Sequence, residues 1–338
     1  MKRNLVNVFR GFLCTVFLSA AIPGEARVVV RLGTVAPKGS SWELLIRRMG
    51  AEWGKATDGE VRLRIYAGGT VGDEGEMIRK MRIGQLQAAG ISNAGLAELD
   101  PTAYALMLPM MFESYEEWDY VRKAVNPILE KNLAEKGFTV LTWSDVGWVY
   151  FFTKAPMRTP TDLRAMKLAG SHTETRTIDI FKWAGFNPVP ISTVDMMTGF
   201  QTGLIDSTYA PLILAEGSQL YRQASNMTDM KWAPLQGAVV MHENGWKKLT
   251  AAQQADVLRI TRKIGEEQRQ SNRQQEQRSL DAMMKRGLKI IDVTDEIRDE
   301  WRAVAEKAYP RVRDNLVPPE IFDRVEKLRD EFRARQVN

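Results

Sequence analysis

Twice in the first third of the chain, a short apolar run rich in β-branched residues breaks at glycine or proline and leads straight into a capped, amphipathic helix. Such alternation constrains the chain more than any other feature. It demands crossover connections, and so favours an α/β fold with largely parallel sheets over a run of hairpins. Residues 27–35 form the first strand, ending at Pro37-Lys38-Gly39. Ser40 then stands three residues before Glu43 as a capping-box pair, and Trp42, Leu45, Ile46, Met49 and Trp53 share one helical face until Asp58-Gly59. Strand 61–66 repeats the pattern through Ala67-Gly68-Gly69, with Asp73 and Glu76 opening a helix that turns Met77, Ile78 and Met81 inward, and 87–91 is a third strand.

Ser114 with Glu117 caps a further helix whose inner face is Trp118, Val121, Val125, Leu129 and Leu133. Strand 138–143 follows, and a second strand, 148–153, comes after only Ser144-Asp145-Val146-Gly147. That spacing suits a crossing point between two domains better than a hairpin. The remainder alternates again, with strands at 166–169, 187–191, 204–209 and 235–241 and helices at 175–184 and 194–201. From Thr250, with Gln253 completing a capping box, a helix of about 35 residues carries Val257, Ile260 and Ile264 on one face and then turns glutamine-rich, long enough to span a small protein. A short run at 288–293 and helices bearing Ile297, Trp301 and Val304, then Ile321, Val325 and Leu328, close the chain. With 338 residues there is room for about two domains. They are expected as one lobe of 27–147 plus about 236–275, and a second of 148–235 plus about 276–338.

Residues 1–26 read as a secretory signal peptide cleaved after Ala26: Lys2, Arg3 and Arg10, an apolar core from 11 to 22, then Pro23 and Gly24-Glu25-Ala26. The core falls short of the ~20 residues that span a bilayer. Cys14, the one cysteine, lies in this segment behind Leu13, where lipid acylation would want a small residue. Removing Lys2, Arg3, Arg10 and Glu25 takes 47 basic and 42 acidic residues to 44 and 41, a net charge of +3. Mixed charge without a basic block gives no footprint for nucleic acid. The expected product is a soluble protein exported across a membrane.

One cysteine and two histidines cannot build the usual zinc site, an iron–sulfur cluster or an internal disulfide, so neither metal nor cofactor is expected. His172 and His242 stand 70 residues apart, and neither lies in a nucleophile-elbow or metalloprotease motif. The loop Ala67-Gly68-Gly69-Thr70-Val71-Gly72-Asp73 links a strand to a helix N-terminus as a phosphate loop does, but Asp73, Glu74 and Glu76 put negative charge where the phosphate would sit. These acids read as helix caps. What is unusual is the load of aromatics and methionines: Trp143, Trp148, Tyr150, Phe151 and Phe152, and Met107, Met110, Met111 and Phe112 around Pro109. Most such residues fill cores, yet alternate positions of a crossing strand can line a cleft that takes apolar ligands.

The order of motifs resembles a known family. Residues 30–42 (VRLGTVAPKGSSW), Tyr66-Ala67-Gly68-Gly69-Thr70-Val71-Gly72, Glu76-Met77 and Ile83-Gly84-Gln85-Leu86-Gln87 carry it. So do Leu108-Pro109-Met110-Met111-Phe112, residues 159–168 (TPTDLRAMKL) and Phe200-Gln201-Thr202-Gly203-Leu204-Ile205-Asp206. Together they are similar to the substrate-binding proteins of tripartite ATP-independent periplasmic (TRAP) transporters, the DctP family, over essentially the whole chain after the leader. The resemblance implies a two-lobe, type II-like periplasmic binding protein with crossing hinge strands and a long spanning helix. It also implies no catalysis, a ligand trapped by lobe closure, and delivery to TRAP membrane permease subunits.

Departures from the family pattern bear on the ligand. The strand that usually ends Lys-Leu-Arg, whose arginine holds a carboxylate, here reads Lys167-Leu168-Ala169. A second family arginine in the crossing strand is replaced at Val149 after Gly147-Trp148, and a ligand-facing asparagine before Pro211 is replaced by Ala210. An isolated carboxylate in such a pocket would be costly to desolvate. The expected ligand is therefore apolar or amphipathic, resembling the lipid-like cargo of a subgroup that works with a tetratricopeptide-repeat periplasmic partner. Trp42, Trp148, Val149, Tyr150, Ala169, Tyr209 and Ala210 are expected at the site. The alternatives are an ordinary organic acid held by a non-standard arginine, Arg176 ahead of Arg164, or a ligand-free adaptor with a self-filled cleft.

Overall fold

The computed structural model describes residues 27–172 and 174–337; the expected leader, with Cys14, lies outside them. The strands are β1 (Val28–Thr34), β2 (Val61–Tyr66), β3 (Ala88–Ser92), β4 (Phe138–Thr153), β5 (Lys167–Ser171), β6 (Asn187–Ile191), β7 (Ser207–Pro211), β8 (Asn226–Thr228), β9 (Ala233–His242) and β10 (Lys289–Ile291). The helices are α1 (Ser41–Ala56), α2 (Glu74–Arg82), α3 (Asn93–Leu99), α4 (Tyr115–Glu135), α5 (Pro160–Arg164), α6 (Thr175–Trp183), α7 (Met196–Thr202), α8 (Leu212–Gly217), α9 (Glu243–Trp246), α10 (Ala251–Lys285), α11 (Asp295–Asn315) and α12 (Pro319–Val337). Short 3₁₀ turns, Pro101–Leu106 among them, join some of these.

The capping grammar is realised. Asp73 accepts from Glu76 N at 2.9 Å, and Thr250 and Gln253 exchange both bonds of a capping box, 3.3 and 3.0 Å. Ser40 accepts from Glu43 N, but the Glu43 carboxylate takes its bond from Gly39 N instead of closing the box on Ser40.

The sheet runs β2-β1-β3-β9-β4-β7-β5-β6, with β8 on β4 and β10 on β8. Its two flanks are parallel (β2-β1-β3 and β7-β5-β6), as the crossover pattern requires. Its middle is not: along β3-β9-β4-β7 each strand is antiparallel to the next, so the sheet is mixed and not largely parallel. The two strands expected at 138–143 and 148–153 are one strand, β4, which pairs with β9 from Phe138 to Val149 through two register shifts, at Val140/Thr142 and Asp145/Gly147. A bulge adds twist without ending the strand, so four loop-like residues in sequence remain ladder in space. Strand β7 begins at Ser207, later than the expected 204, because Ile205 N bonds Gly199 O at the end of α7. Helix α3, the turn after it and β8 were not expected at all.

Helix α10 has the expected length, 35 residues. It is fastened to β4 at the second bulge. Asn272 Nδ2 donates to Asp145 O at 2.7 Å, Arg273 Nε pairs with Asp145 Oδ2 at 2.6 Å, and Glu276 Oε1 accepts from Trp148 N at 2.8 Å and the Tyr115 hydroxyl at 2.6 Å. Arg122 of α4 pairs with the other oxygen of Asp145, whose side chain is fully buried. Gly147, at φ +118°, has Glu276 Oε1 where a Cβ would be, so only glycine fits the bulge.

Alternation along β4 divides its aromatics. Phe151 packs with Trp232, Phe186 and Trp301, its ring 5.3 Å from that of Trp301. Trp148, Tyr150 and Phe152 face the opposite way into a core that includes Trp118 and Phe200. A separate cluster beneath α1 joins Trp42, Ile46 and Trp53 to β1, β9 and α10.

Candidate functional site

A cavity of about 390 Å³ lies where the carboxyl ends of β1 and β3 meet those of β5 and β7. Ligands of open α/β sheets gather at this end of the strands, and ligand pockets run from ~300 to 1,000 Å³. Thr34, Trp42 and Ser92 contribute from one flank, Ala169, Phe181, Tyr209 and Ala210 from the other, and Val149 from the crossing strand; Leu214 of α8 and Ala308 and Val312 of α11 extend the wall.

Five of the residues expected from sequence therefore line it: Trp42, Val149, Ala169, Tyr209 and Ala210. Trp148 and Tyr150 do not, because alternation turns them to the far side of β4, where Trp148 stacks near Tyr115 at 5.6 Å. Arg176 and Arg164 are exposed and away from the cavity wall; the Arg164 guanidinium lies over the Phe186 ring and donates to Ala184 O. Val149, Ala169 and Ala210, the positions where the resemblance implies polar anchors, all line the cavity.

None of the described residues lining the cavity is Lys, Arg or His, while Asp73, Glu74, Glu98 and Glu174 are among them. The Glu74 carboxylate accepts from Ser92 N, Ser92 Oγ and Gly95 N, each at 2.8 Å, yet burial pushes its acid form up. Glu174 is 6% exposed and immediately precedes α6 without a side-chain cap bond to it, and Oε1 has no hydrogen-bond partner. Burial first of all pushes Glu174 up to about 7, against the pull of the nearby Tyr104 hydroxyl and with the help of the Glu74 and Glu98 charges. The Tyr104 and Tyr209 phenols are pushed up by burial and by the neighbouring Glu174.

Sequence reasoning missed Glu74, Glu98, Tyr104 and Glu174. Only Glu74 left a trace, in the acidic run after Gly72, and there it was read as a helix cap; Asp73 is the cap, while Glu74 reaches across to Ser92. Asp73 Oδ2 also touches His172 Nε2 at 3.4 Å and Ser192 Oγ at 3.3 Å, a contact between the two flanks at the cavity rim. Beside it Gly69, at φ +70°, has Val194 Cγ1 2.4 Å from where a Cβ would stand.

A profile for bacterial extracellular solute-binding proteins, family 7 (DctP), matches residues 32–315. The chain belongs to the DctP family. This DctP protein is 25% identical to the 2,3-diketo-L-gulonate-binding periplasmic protein of Escherichia coli, over 77% of the chain and 78% of that protein. Its fold matches the sugar acid binding protein of Advenella mimigardefordensis in complex with galactonate at a TM-score of 0.85, with 18% identity over 90% of the chain and 99% of that structure. A TRAP periplasmic solute-binding protein of Sulfurospirillum deleyianum with bound succinate matches at 0.82, with 21% identity over 90% and 98%. DctP proteins are solute-binding components of transporters, so this chain is a carrier and not an enzyme. No helix among the described residues is long and apolar enough to cross a membrane.

Proposed function

We propose that this DctP protein captures an apolar or amphipathic small molecule in the cavity and delivers it, in the periplasm, to TRAP permease subunits. The observation that carries the reading is the cavity wall, which holds carboxylates but no cation. A ligand carboxylate placed there would lose its hydration shell, gain no counter-charge, and face Glu174 and Glu74 across a medium of low polarity. The solved relatives named above are in complex with acids, but neither Arg176 nor Arg164 stands in the wall to hold one here. An open cavity also speaks against an adaptor whose own side chains fill the cleft. The hinge belongs to this proposal, placed at Asp145–Trp148 with lobes of 27–147 plus about 236–275 and 148–235 plus about 276–338. So do export by the leader and a tetratricopeptide-repeat periplasmic partner, as in the subgroup with lipid-like cargo.

The test is native mass spectrometry of protein purified without refolding, together with melting shifts against fatty acids, isoprenoids and short dicarboxylates. Mass and shifts should both report the apolar class. A strong shift with succinate or sugar acids alone overturns the reading.

A further inference from the structure

Resting on that reading, we infer that the ligand carries a protonated nitrogen on its apolar body and that the nitrogen docks on the Glu174 carboxylate. That side chain is buried and left unsatisfied by the fold. Glu174 stands directly before α6, where a shorter aspartate would cap the helix's first N–H groups. Glu174 makes no such bond, and its buried Oε1 has no partner at all. Leaving a buried carboxylate oxygen unpaired is costly, and the cost is recovered only when a donor arrives from the cavity. Thr177 Oγ1, one turn along the same helix and also in the wall, is likewise buried without a hydrogen-bond partner.

The groups facing Glu174 favour a charged donor over a neutral one. Tyr104 comes from the turn after α3, Tyr209 from β7, Glu74 from α2 and Glu98 from α3. None is a base that could neutralise it, and its nearest charged neighbours are carboxylates. His172 lies at the rim, paired with Asp73, outside the wall. A hydroxyl could satisfy one oxygen, but an ammonium also offsets the summed negative charge. Phe181, Ile180, Met197, Leu214, Ala308 and Val312 of the same wall are apolar and offer a hydrocarbon body its surroundings.

Because burial holds the empty site's Glu174 at about 7, ammonium affinity should climb as pH rises through 7, and fall again only where the amine itself loses its proton, near ~10 for an alkylamine.

The probes are 1-decylamine, 1-decanol and decanoate, titrated below their aggregation limits by calorimetry at pH 6 and pH 8. At pH 8 decylamine should bind about tenfold or more tighter than decanol, the size of one charge-assisted hydrogen bond, with decanoate weakest. Glu174→Gln should bring the amine-to-alcohol ratio to about one. Glu174→Asp, which withdraws the carboxylate by one methylene, should cut the ratio severalfold and serves if the glutamine variant does not fold. Equal binding of decylamine and decanol, or an amine preference that survives Glu174→Gln, overturns the inference while leaving an apolar ligand standing. Failure of all three probes where succinate binds removes both.

Discussion

Replacing Arg273 by methionine probes the fastening of the long helix to the crossing strand. The guanidinium makes three bonds, one to Asp145 at 2.6 Å and two to Asp119 at 2.9 and 2.6 Å, and lies 4.1 Å over the Tyr115 ring. Asp145 is fully buried, whereas the Asp119 side chain is 36% exposed, so the two partners do not weigh equally. Losing the bond to buried Asp145 costs ~1.5–3 kcal/mol. The exposed pair adds at most ~1 kcal/mol and the ring contact ~0.5–1 kcal/mol. Arg122 still holds the other Asp145 oxygen, which keeps the sum near ~3–4 kcal/mol. With an unfolding entropy of ~2.1 cal/mol/K per residue, a chain of this length should lose ~5 °C in Tm. Methionine keeps the aliphatic stem, so the loss reports the charge. In a thermal-melt double-mutant cycle, Asp145→Asn and Arg273→Met together should cost ~1–2 kcal/mol less than the sum of the two single losses, because the bond between them is lost only once. A drop below ~2 °C, or two substitutions that simply add, would refute the reasoning.

Two other outcomes follow from the cavity. Glu174 binds its proton more tightly in the fold, at about 7, than at its ordinary 4.5. The stability this contributes is fully present below pH 4.5 and is lost as pH rises through 7, by up to ~3 kcal/mol. Glu174→Gln lacks that loss, so urea unfolding should find it gaining on the parent between pH 5 and pH 8; parallel pH profiles would contradict the assignment. At the rim, Gly69→Ala sets a methyl against Val194 and strains a left-handed backbone, and should raise the ligand's dissociation rate severalfold while the association rate changes little; stopped-flow release at the parental rate would show that the flanks need not touch there.

The fold was legible wherever a local rule governs it. Caps at Ser40, Asp73, Ser114 and Thr250 and the inward stripe of α4 are decided within a few residues of chain, and the structure places each of these caps, though Glu43 does not close the box expected with Ser40. The sheet's direction was not, because β3 next to β9 is a pairing across more than a hundred residues that no local period encodes. Residues 144–147 read as a linker for the same reason: Asp145 and Gly147 look like turn residues, and only Arg122, Arg273 and Glu276 from distant helices explain them as a bulge. At the site, the substitutions at Val149, Ala169 and Ala210 were visible through the resemblance. Glu174 was not, since before a helix an acid reads as a cap, and only its unused hydrogen bond tells otherwise.

The sheet order also dictates when this protein can exist. Strand β3 has β1 on one side and waits for β9 on the other, and β4 leans on β9 for most of its length, so the first flank stays open-edged until the chain has reached Ala233. An unpaired edge invites pairing with the wrong neighbour, and long-range ladders close slowly. Neither half is therefore a free-standing folding unit. On the proposed export route the delay is an advantage, because a polypeptide that cannot complete its central ladder early remains threadable until its last third is made.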